Sequence, residues 1–434
     1  MILNGESKIE TEKIKTKKAI GVGETKPIVS PAPNPRIQFA KYASINFFYY
    51  LSVAFGGYVT VFLQSIGFSA QHVGMVSSIS ATVGVFSSPT LGTISDKIRS
   101  IKKVIILALS VAAFLFALIP LSSRLYIGNL SLVIILIPLA MFFKMPSMAL
   151  VDNWTLRNSA AEGLNYGAMR SFGAISYAIA SLLLGYFLPI TGVELTFYLY
   201  GVFVVPTILM LLSARGTADN EAASKKRLKF KEMKIGQLFK NYYLVTYIAF
   251  TVVQRIPFQC GFIFLPFLIV AVGGNPAQLG IVLGIRALAE IPMMLLLKPL
   301  SRKLPLYVII MMASVLYATE FILYSMAGSF TAIVLISMLH GLANGLLLPA
   351  NTGYIISLAP EHLKATTQTV LSSMASAAGI IGALLGGALI EIIGITDFFF
   401  IIGIVTAIAL LLFISSFIIG EKFLKIKRPG MSPL

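Results

Sequence analysis

Charged residues and cysteine are both scarce in this chain. Of its 434 residues only 12% are Asp, Glu, Lys or Arg, while 57% are hydrophobic. A soluble domain carries about 25% charged residues, so the composition excludes an ordinary soluble protein. The one cysteine, Cys260, excludes a disulfide framework. The sequence shows no histidine-rich metal constellation, no nucleophile–base pair and no Walker loop, so we expect neither an enzyme nor a metal or cofactor protein.

Long hydrophobic runs take the place of the missing charge. Twelve apolar stretches follow one another along almost the whole chain, and each is long enough to cross a bilayer. The sequence therefore predicts an all-α integral membrane protein with twelve transmembrane helices. The predicted spans are 37–64, 71–94, 102–121, 127–150, 165–188, 194–213, 242–269, 277–299, 304–326, 329–350, 364–392 and 396–419.

The positive charge has a distribution that indicates orientation in a membrane. The net charge is +17, but the basic residues gather in the tails and in the loops after the even-numbered spans, so we expect no nucleic-acid partner. Loops on the other side carry almost none, Arg124 being the exception. The positive-inside rule then predicts a multi-pass protein of a bacterial-type inner or plasma membrane, with both termini in the cytoplasm. The basic loop and tail residues are Lys97, Lys102, Lys103, Arg157, Arg302, Lys303, Lys364, Lys422, Lys425, Lys427 and Arg428.

One long polar segment divides the chain into two halves. Residues 214–241 form a basic linker, and the first 36 residues are polar, without the apolar core of a signal peptide. The halves show traces of a repeat, because the turn Ser69–Gly74 resembles Asn275–Gly280 and Asp152 corresponds to Asn351. We predict a disordered cytoplasmic tail, two pseudo-symmetric six-helix bundles around the linker, and a second tail. The predicted bounds are 1–36, 37–213, 214–241, 242–420 and 421–434.

The end of the second span carries a recognisable loop motif. The run from Gly92 to Lys103, with Asp96 and Lys97, resembles the loop motif of the major facilitator superfamily. Glycine allows close helix approach, and an aspartate at a helix end can pair with cations, so we predict that Gly92, Asp96 and Lys97 latch one conformation. The sequence departs from the family pattern at Arg99, which stands where the family has a second glycine.

A closer resemblance lies in the fourth and fifth spans. Asp152-Asn153-Trp154 and the run from Asn165 to Ala174 resemble the branch of that superfamily that contains lactose permease, the nucleoside–proton symporters and the phenylpropionate permease. The resemblance implies that Asp152 and Arg170 hold the solute and that Tyr177 stacks on it. A structural salt bridge between the two spans is the alternative.

The proton site of lactose permease does not carry over to this chain. There a carboxylate lies one turn after the histidine that matches His340, and Ala343 occupies that place here. We therefore predict Glu290 as the leading proton carrier and Glu320 as the second. Arg286, one turn before Glu290, and Arg255 are the predicted partners, and a permanent ion pair of Glu290 with an arginine is the alternative.

Three further polar residues in the spans are candidates for the binding cavity. Lys144 lies about two turns before Asp152, where it would neutralise that carboxylate or meet an anionic solute. His340 would donate a hydrogen bond to the solute or serve as a helix contact. Asn46 would line the cavity from the first span.

These features together predict a secondary active transporter that works by alternating access. We expect a monomer in the lipid bilayer that imports a small polar organic solute with a proton. A sugar or oligosaccharide, a nucleoside and an aromatic acid all suit an acid, an arginine and an aromatic ring. The alternative is a drug or metabolite efflux antiporter of the same superfamily, although the Gly-Pro pair common in efflux members is missing from 183–189.

Overall fold

A computed structural model describes residues 34–128, 130–214, 235–360 and 363–429. Almost all of these residues are helical, and the strands among them are a two-residue pair, β1 Tyr126–Ile127 with β2 Leu130–Ser131. Three predicted segments lie wholly or partly outside the described residues: residues 1–33 of the predicted tail 1–36, the lysine-rich part of the linker, and the last five residues of the chain. The described residues from Phe39 onward form one compact unit.

Within these described residues twelve helices follow the predicted spans in order, and we number them α1–α12 accordingly. Two of them, α1 and α7, consist of two segments each. The helices are α1 Pro35–Phe55 with Val59–Ser65, α2 Ala70–Ile98, α3 Ile101–Ser122, α4 Val133–Ala161, α5 Tyr166–Thr191, α6 Leu195–Ser213, α7 Tyr242–Ile263 with Leu265–Ala271, α8 Leu279–Ser301, α9 Leu306–Ser325, α10 Phe330–Leu358, α11 Lys364–Ile393 and α12 Ile395–Lys422.

Every described helix of the twelve except α2 has the length and composition that a bilayer requires, and the predicted membrane fold is confirmed. Among the described residues ten helices are long and apolar enough to span, and eleven if the bent α7 counts as one span. Helix α2 is 29 residues long and is the most hydroxyl-rich of the set, with six serines and three threonines. Hydroxyls such as those of Ser80 and Thr82 donate to the carbonyl four residues earlier, which satisfies them within the helix.

The first helix of each half is broken near its middle. In α1 the break falls at Gly56 and Gly57, and the ammonium of Lys144 donates to the freed carbonyl of Gly56 at 2.6 Å. In α7 the two segments meet at 51°, and Pro266 lies in the first turn of the second segment, where its missing N–H removes no helical hydrogen bond. Both breaks leave backbone carbonyls that need other partners.

Helix pairing inside the two halves follows one pattern. In the first half α4 packs on α2 and α3, and α3 packs on α6; in the second half α10 packs on α8 and α9, and α9 packs on α12. This repetition is what two related bundles should give. The predicted domain bounds stay a prediction.

The halves meet along two helix pairs, α2 with α11 and α5 with α8. Glycines make both contacts close: a Cβ placed on Gly74 would lie 3.3 Å from the Cα of Gly387, and one on Gly280 would lie 2.6 Å from the nitrogen of Gly185. We call these four residues the glycine seam. All four lie toward the ends where α2 and α8 begin and α5 and α11 end.

At the C-terminal end of α2, the structure does not show the close helix approach expected at Gly92. A Cβ at this position would meet no atom within 4 Å, so no helix approaches it closely here. The expected role of Gly92 in close helix approach is therefore not seen in this conformation. Arg99 adopts φ 54° and ψ 32° and ends the helix, so a non-glycine residue makes the left-handed turn. Asp96 and Lys97 are exposed in the last turn of α2, and their latch role stays a prediction.

Candidate functional site

The predicted acid and base of the first half lie together. The Nε of Arg170 on α5 is 3.6 Å from Oδ1 of Asp152 on α4, and Tyr50 of α1 donates its hydroxyl to Oδ2 of Asp152 at 2.7 Å. The guanidinium of Arg170 lies over the Tyr50 ring, 3.6 Å from its centroid. We call Tyr50, Asp152 and Arg170 the N-half polar site.

The N-half polar site retains free binding capacity. The side chains of Arg170 and Asp152 remain 30% and 28% accessible. A separation of 3.6 Å is too long for a hydrogen bond, and Oδ1 of Asp152, although itself a buried atom, accepts none from the described residues. The fork of Arg170 is therefore available to a solute oxygen, and Oδ1 is an acceptor that a solute hydroxyl can use once it is uncovered.

A pair in the second half repeats part of this arrangement. Tyr247 of α7 donates its hydroxyl to Oδ1 of Asn351 on α10, as Tyr50 of α1 donates to Asp152 on α4. Asn351 is the residue that the sequence repeat matches to Asp152. The amide carries no charge, so the arrangement is symmetric in position but not in chemistry.

Arg286 has a different partner from the one expected. Its Nη2 donates to Oε1 of Glu320 on α9 at 3.0 Å and to the hydroxyl of Tyr324 at 3.0 Å, instead of pairing with Glu290 one turn along α8. The predicted partnership of Arg286 with Glu290 is therefore wrong in this conformation. The long side chain of Arg286 reaches the neighbouring helix α9. The spacing of residues along α8 alone does not reveal such a contact between helices.

Glu320 belongs to a closed cluster of buried groups. Its side chain is fully inaccessible, and its second oxygen lies 3.0 Å from Nδ1 of His340 on α10. Tyr324 also hydrogen-bonds to Ser337 of α10 at 2.6 Å. We call Arg286, Glu320, Tyr324, Ser337 and His340 the C-half ion cluster. Because both carboxylate oxygens of Glu320 are occupied and out of reach, the cluster ties α8, α9 and α10 together.

The carboxylate of Glu290 has a neutral hydrogen-bond partner, unlike that of Glu320. Asn344 of α10 donates its amide to Oε2 of Glu290 at 2.9 Å, and the hydroxyl of Tyr317 donates to Oδ1 of Asn344 at 3.3 Å. Within the described residues no cation lies close enough to Glu290 to form an ion pair, although the more distant positive charge of Arg170 on α5 acts on it. Glu290 is thus a partly accessible carboxylate that faces the other half.

Tyr177 lies where the halves face each other. Its side chain lies near Arg286 and Glu290 of α8. The structure therefore places the predicted stacking aromatic toward the second half, on the same helix as Arg170. Its role toward a solute stays a prediction.

Two predicted cavity residues have structural partners. Besides its bond to Gly56, the Lys144 ammonium lies 5.3 Å from the centroid of Phe116, so it stabilises the break in α1. Asn46 is fully buried and donates its amide to the carbonyl of Tyr42, four residues earlier in α1. Both roles toward a solute stay predictions, and these contacts favour a structural role.

Sequence reasoning missed the residues that connect the charges. Asn344, Tyr317 and Tyr324 carry the hydrogen bonds around Glu290 and Arg286. The available signal was Asn344, a polar residue inside an apolar span four positions after His340. Tyrosines are common in membrane helices as packing residues, so their presence alone gave no signal.

An apolar groove elsewhere on the molecule does not suit a polar solute. Its volume is about 590 Å³, and α8, α9 and α10 line it with side chains such as Met293, Leu316 and Leu346. Lys303 is the one charged residue in its lining. Among the described residues no three His, Cys, Asp or Glu side chains come together as a metal site would require.

Comparison with known proteins identifies the family. The model of the MFS_1 like family matches residues 39–402, which is most of the chain. Maltose permease of Geobacillus stearothermophilus is 22% identical over 376 residues, covering 85% of this chain and 93% of the permease. The quinolone resistance protein NorA of Staphylococcus aureus is 24% identical over 155 residues, covering 36% of this chain and 39% of NorA.

The fold is that of solved transporters. The crystal structure of the nucleoside transporter NupG superposes with a TM-score of 0.72 at 17% identity, covering 88% of this chain and 99% of NupG. This likeness establishes the helical architecture but not the solute. By the family match over residues 39–402, the chain is a member of the MFS_1 like family, a major facilitator transporter of small solutes and not an enzyme.

Proposed function

We propose that this transporter moves a small polar organic solute together with a proton, by alternating access between its two halves. The observation that carries the proposal is the N-half polar site, whose charged side chains remain accessible opposite the unpaired carboxylate Glu290. An acid, an arginine and a nearby aromatic suit a sugar or oligosaccharide, a nucleoside or an aromatic acid. Maltose permease and NupG, named for a sugar and for nucleosides, are consistent with such solutes.

The packing of the halves supports one state of the transport cycle. The glycine seam closes the end where α2 and α8 begin, and the backbone N–H of Gln71 adds a hydrogen bond of 3.0 Å to Glu391 across the same end. With the basic loops in the cytoplasm, this closed end faces outward. The conformation is then inward-facing. Both termini lie on the cytoplasmic side of a bacterial-type cell membrane, and the transporter acts as a monomer.

Glu290 is the proposed proton carrier. Glu320 is held by Arg286 and His340 in a site without access, so it has no route for exchange of a proton. Glu290 is hydrogen-bonded by the neutral amide of Asn344 and is accessible. A carboxylate with a neutral partner can be protonated without leaving an unpaired buried cation.

Asp152→Asn and Arg170→Lys are expected to lower uptake at least tenfold. Each change weakens charge-assisted hydrogen bonds to the solute, which contribute about 1.5–3 kcal/mol each. The measurement is external pH in a lightly buffered suspension of de-energised cells, after addition of disaccharides, nucleosides or aromatic carboxylates in turn. Alkalinisation by one class with wild-type protein, and its loss in both variants, supports symport through this site.

The matched controls for that experiment are Asp397→Asn and Arg124→Lys, which alter exposed residues of the same types. They should behave as wild type. Wild-type uptake by Asp152→Asn and Arg170→Lys would refute the solute site. Silence of wild-type protein across the whole panel, with protein present in the membrane, would refute proton symport of these solutes.

Glu290→Gln is expected to uncouple transport from the pH gradient. At zero membrane potential a gradient of one pH unit can drive about tenfold accumulation for one proton per solute, because 1.4 kcal/mol is a factor of ten. The variant should still exchange labelled solute across vesicles but should not accumulate it. Glu194→Gln, an exposed carboxylate at the start of α6, is the control. Undiminished accumulation by Glu290→Gln would exclude this residue as the carrier.

Efflux is the second candidate function, and the match to NorA over 155 residues favours it. An efflux antiporter would give no alkalinisation in cells but would extrude a fluorescent quinolone against its gradient. Extrusion that depends on Glu290 would replace import as the physiological direction.

A further inference from the structure

Arg255 is an interior cation whose charge the protein leaves unpaired. Among the described residues three arginines are partly or fully buried, and two of them have carboxylate partners: Arg170 pairs with Asp152, and Arg286 pairs with Glu320. In the part of the chain that the structure describes, Arg255 on α7 has no carboxylate within 4.0 Å. Ionisable groups within membrane helices are costly, so an unpaired one indicates a functional partner.

The surroundings of Arg255 do not replace a carboxylate. The guanidinium lies 5.0 Å from the centroid of the Phe258 ring, and Tyr317 of α9 lies nearby. A ring face attracts a cation but leaves the N–H groups of the fork without acceptors. The side chain is half-buried, so a solute can reach it.

Arg255 adjoins the wall that carries Glu290. Phe258 packs against Tyr317 at a centroid distance of 5.6 Å and against His340 at 5.5 Å. Tyr317 in turn reaches Glu290 through the amide of Asn344. Glu320, the carboxylate of the C-half ion cluster, is already bonded to Arg286 and His340, so it is not available to Arg255.

We propose that Arg255 binds a carboxylate group of the solute, so that the transported class is a polar organic acid. The proposal rests on the proposed function, in which Asp152 and Arg170 hold the remaining polar groups. A planar fork that lacks acceptors matches a carboxylate in a bidentate geometry. When a solute monoanion moves together with one proton on Glu290, the net charge that crosses the membrane is zero. The membrane potential therefore does no work on this transport step.

The test uses benzoate as the probe and the purified full-length protein in detergent. Sodium chloride is replaced by sodium benzoate at constant ionic strength, and thermal unfolding is followed; benzamide serves as the uncharged match. We expect benzoate, but not benzamide, to raise Tm of the wild type, because a ligand that binds only the folded state stabilises it. The shift should vanish in Arg255→Gln, persist in part in Arg255→Lys, and remain unchanged in Arg124→Gln, which alters an exposed loop residue.

Either of two results would overturn the proposal: no benzoate shift in the wild type, or an equal shift in Arg255→Gln. A cooperative thermal transition of Arg255→Gln with the amplitude of the wild type would show that the variant is folded. A benzoate shift that needs Arg255, combined with silence in the pH assay, would refute symport while leaving the anion site in place. Proton-linked uptake of a neutral sugar that Arg255→Gln does not change would refute the acid class alone.

Discussion

Glu320→Leu is expected to lower the free energy of unfolding by about 3–5 kcal/mol, the cost typical of breaking a buried ion pair from one side. The change leaves the guanidinium of Arg286 without its carboxylate and Nδ1 of His340 without its acceptor, in a site that water does not reach. Two further nitrogens of Arg286, Nε and Nη1, find no acceptor among the described residues, so the guanidinium would keep only its hydrogen bond to Tyr324.

The double variant Arg286→Met with Glu320→Leu should recover most of the lost stability. It removes both charges, and apolar side chains of similar volume often replace a buried pair at no net cost. Unfolding in detergent by heat or by a denaturing surfactant provides the measurement, with Glu194→Leu as the exposed control. Equal destabilisation by the single and double variants would mean that shape, rather than charge, holds α8, α9 and α10 together.

Hydropathy predicted the helices well because each span must satisfy the same physical demand of the bilayer. It could not predict that α1 and α7 are broken. The two-residue turn at Gly56-Gly57 and the bend at Phe264 leave the apolar length of each span unchanged. A break depends on a partner for the carbonyl that it frees, as the carbonyl of Gly56 accepts a hydrogen bond from Lys144, and such a partner is known only from the structure.

The candidate site was partly accessible to sequence reasoning. Family resemblance placed Asp152 and Arg170 together, and they are in contact, although their role toward a solute stays a prediction. Spacing along α8 assigned Arg286 to Glu290 and was wrong, because the rotation of α8 relative to α9 decides which helix a long side chain reaches. Such rotations depend on side-chain packing between helices, which a single sequence does not reveal.

Gly387→Leu is expected to open the closed end of the transporter and to lower transport at least tenfold. A Cβ at Gly387 would lie 3.0 Å from the Cα of Gln71 and 3.1 Å from the carbonyl carbon of Ala70. These are backbone atoms, so no side chain can move aside, and α2 and α11 must separate. Since transport requires both end states, a shift of the equilibrium by 1.4 kcal/mol or more reduces the closed state at least tenfold.

The chain offers a direct reporter for that opening, because its only cysteine is the buried Cys260. In a Cys260→Ala background, Ser181→Cys places one thiol on α5, at the second helix pair of the seam, where the native side chain is 1% accessible. Gly387→Leu should make this thiol react with a maleimide at least about ten times faster, in line with the same population shift. Phe86→Leu is the control on α2, because this side chain is 66% exposed and lies outside both the seam and the predicted latch.

The two helix pairs make this a test of rigid halves as well as of the seam. Gly387 lies on the α2–α11 contact and Ser181 on the α5–α8 contact, so the thiol reports a separation that the substitution does not cause locally. If each half moves as a body, opening one contact opens the other, and the thiol becomes reactive. An unreactive thiol in a transport-defective Gly387→Leu variant would mean that α2 or α11 yields by itself. Alternating access would then depend on bending of single helices rather than on rocking of the bundles.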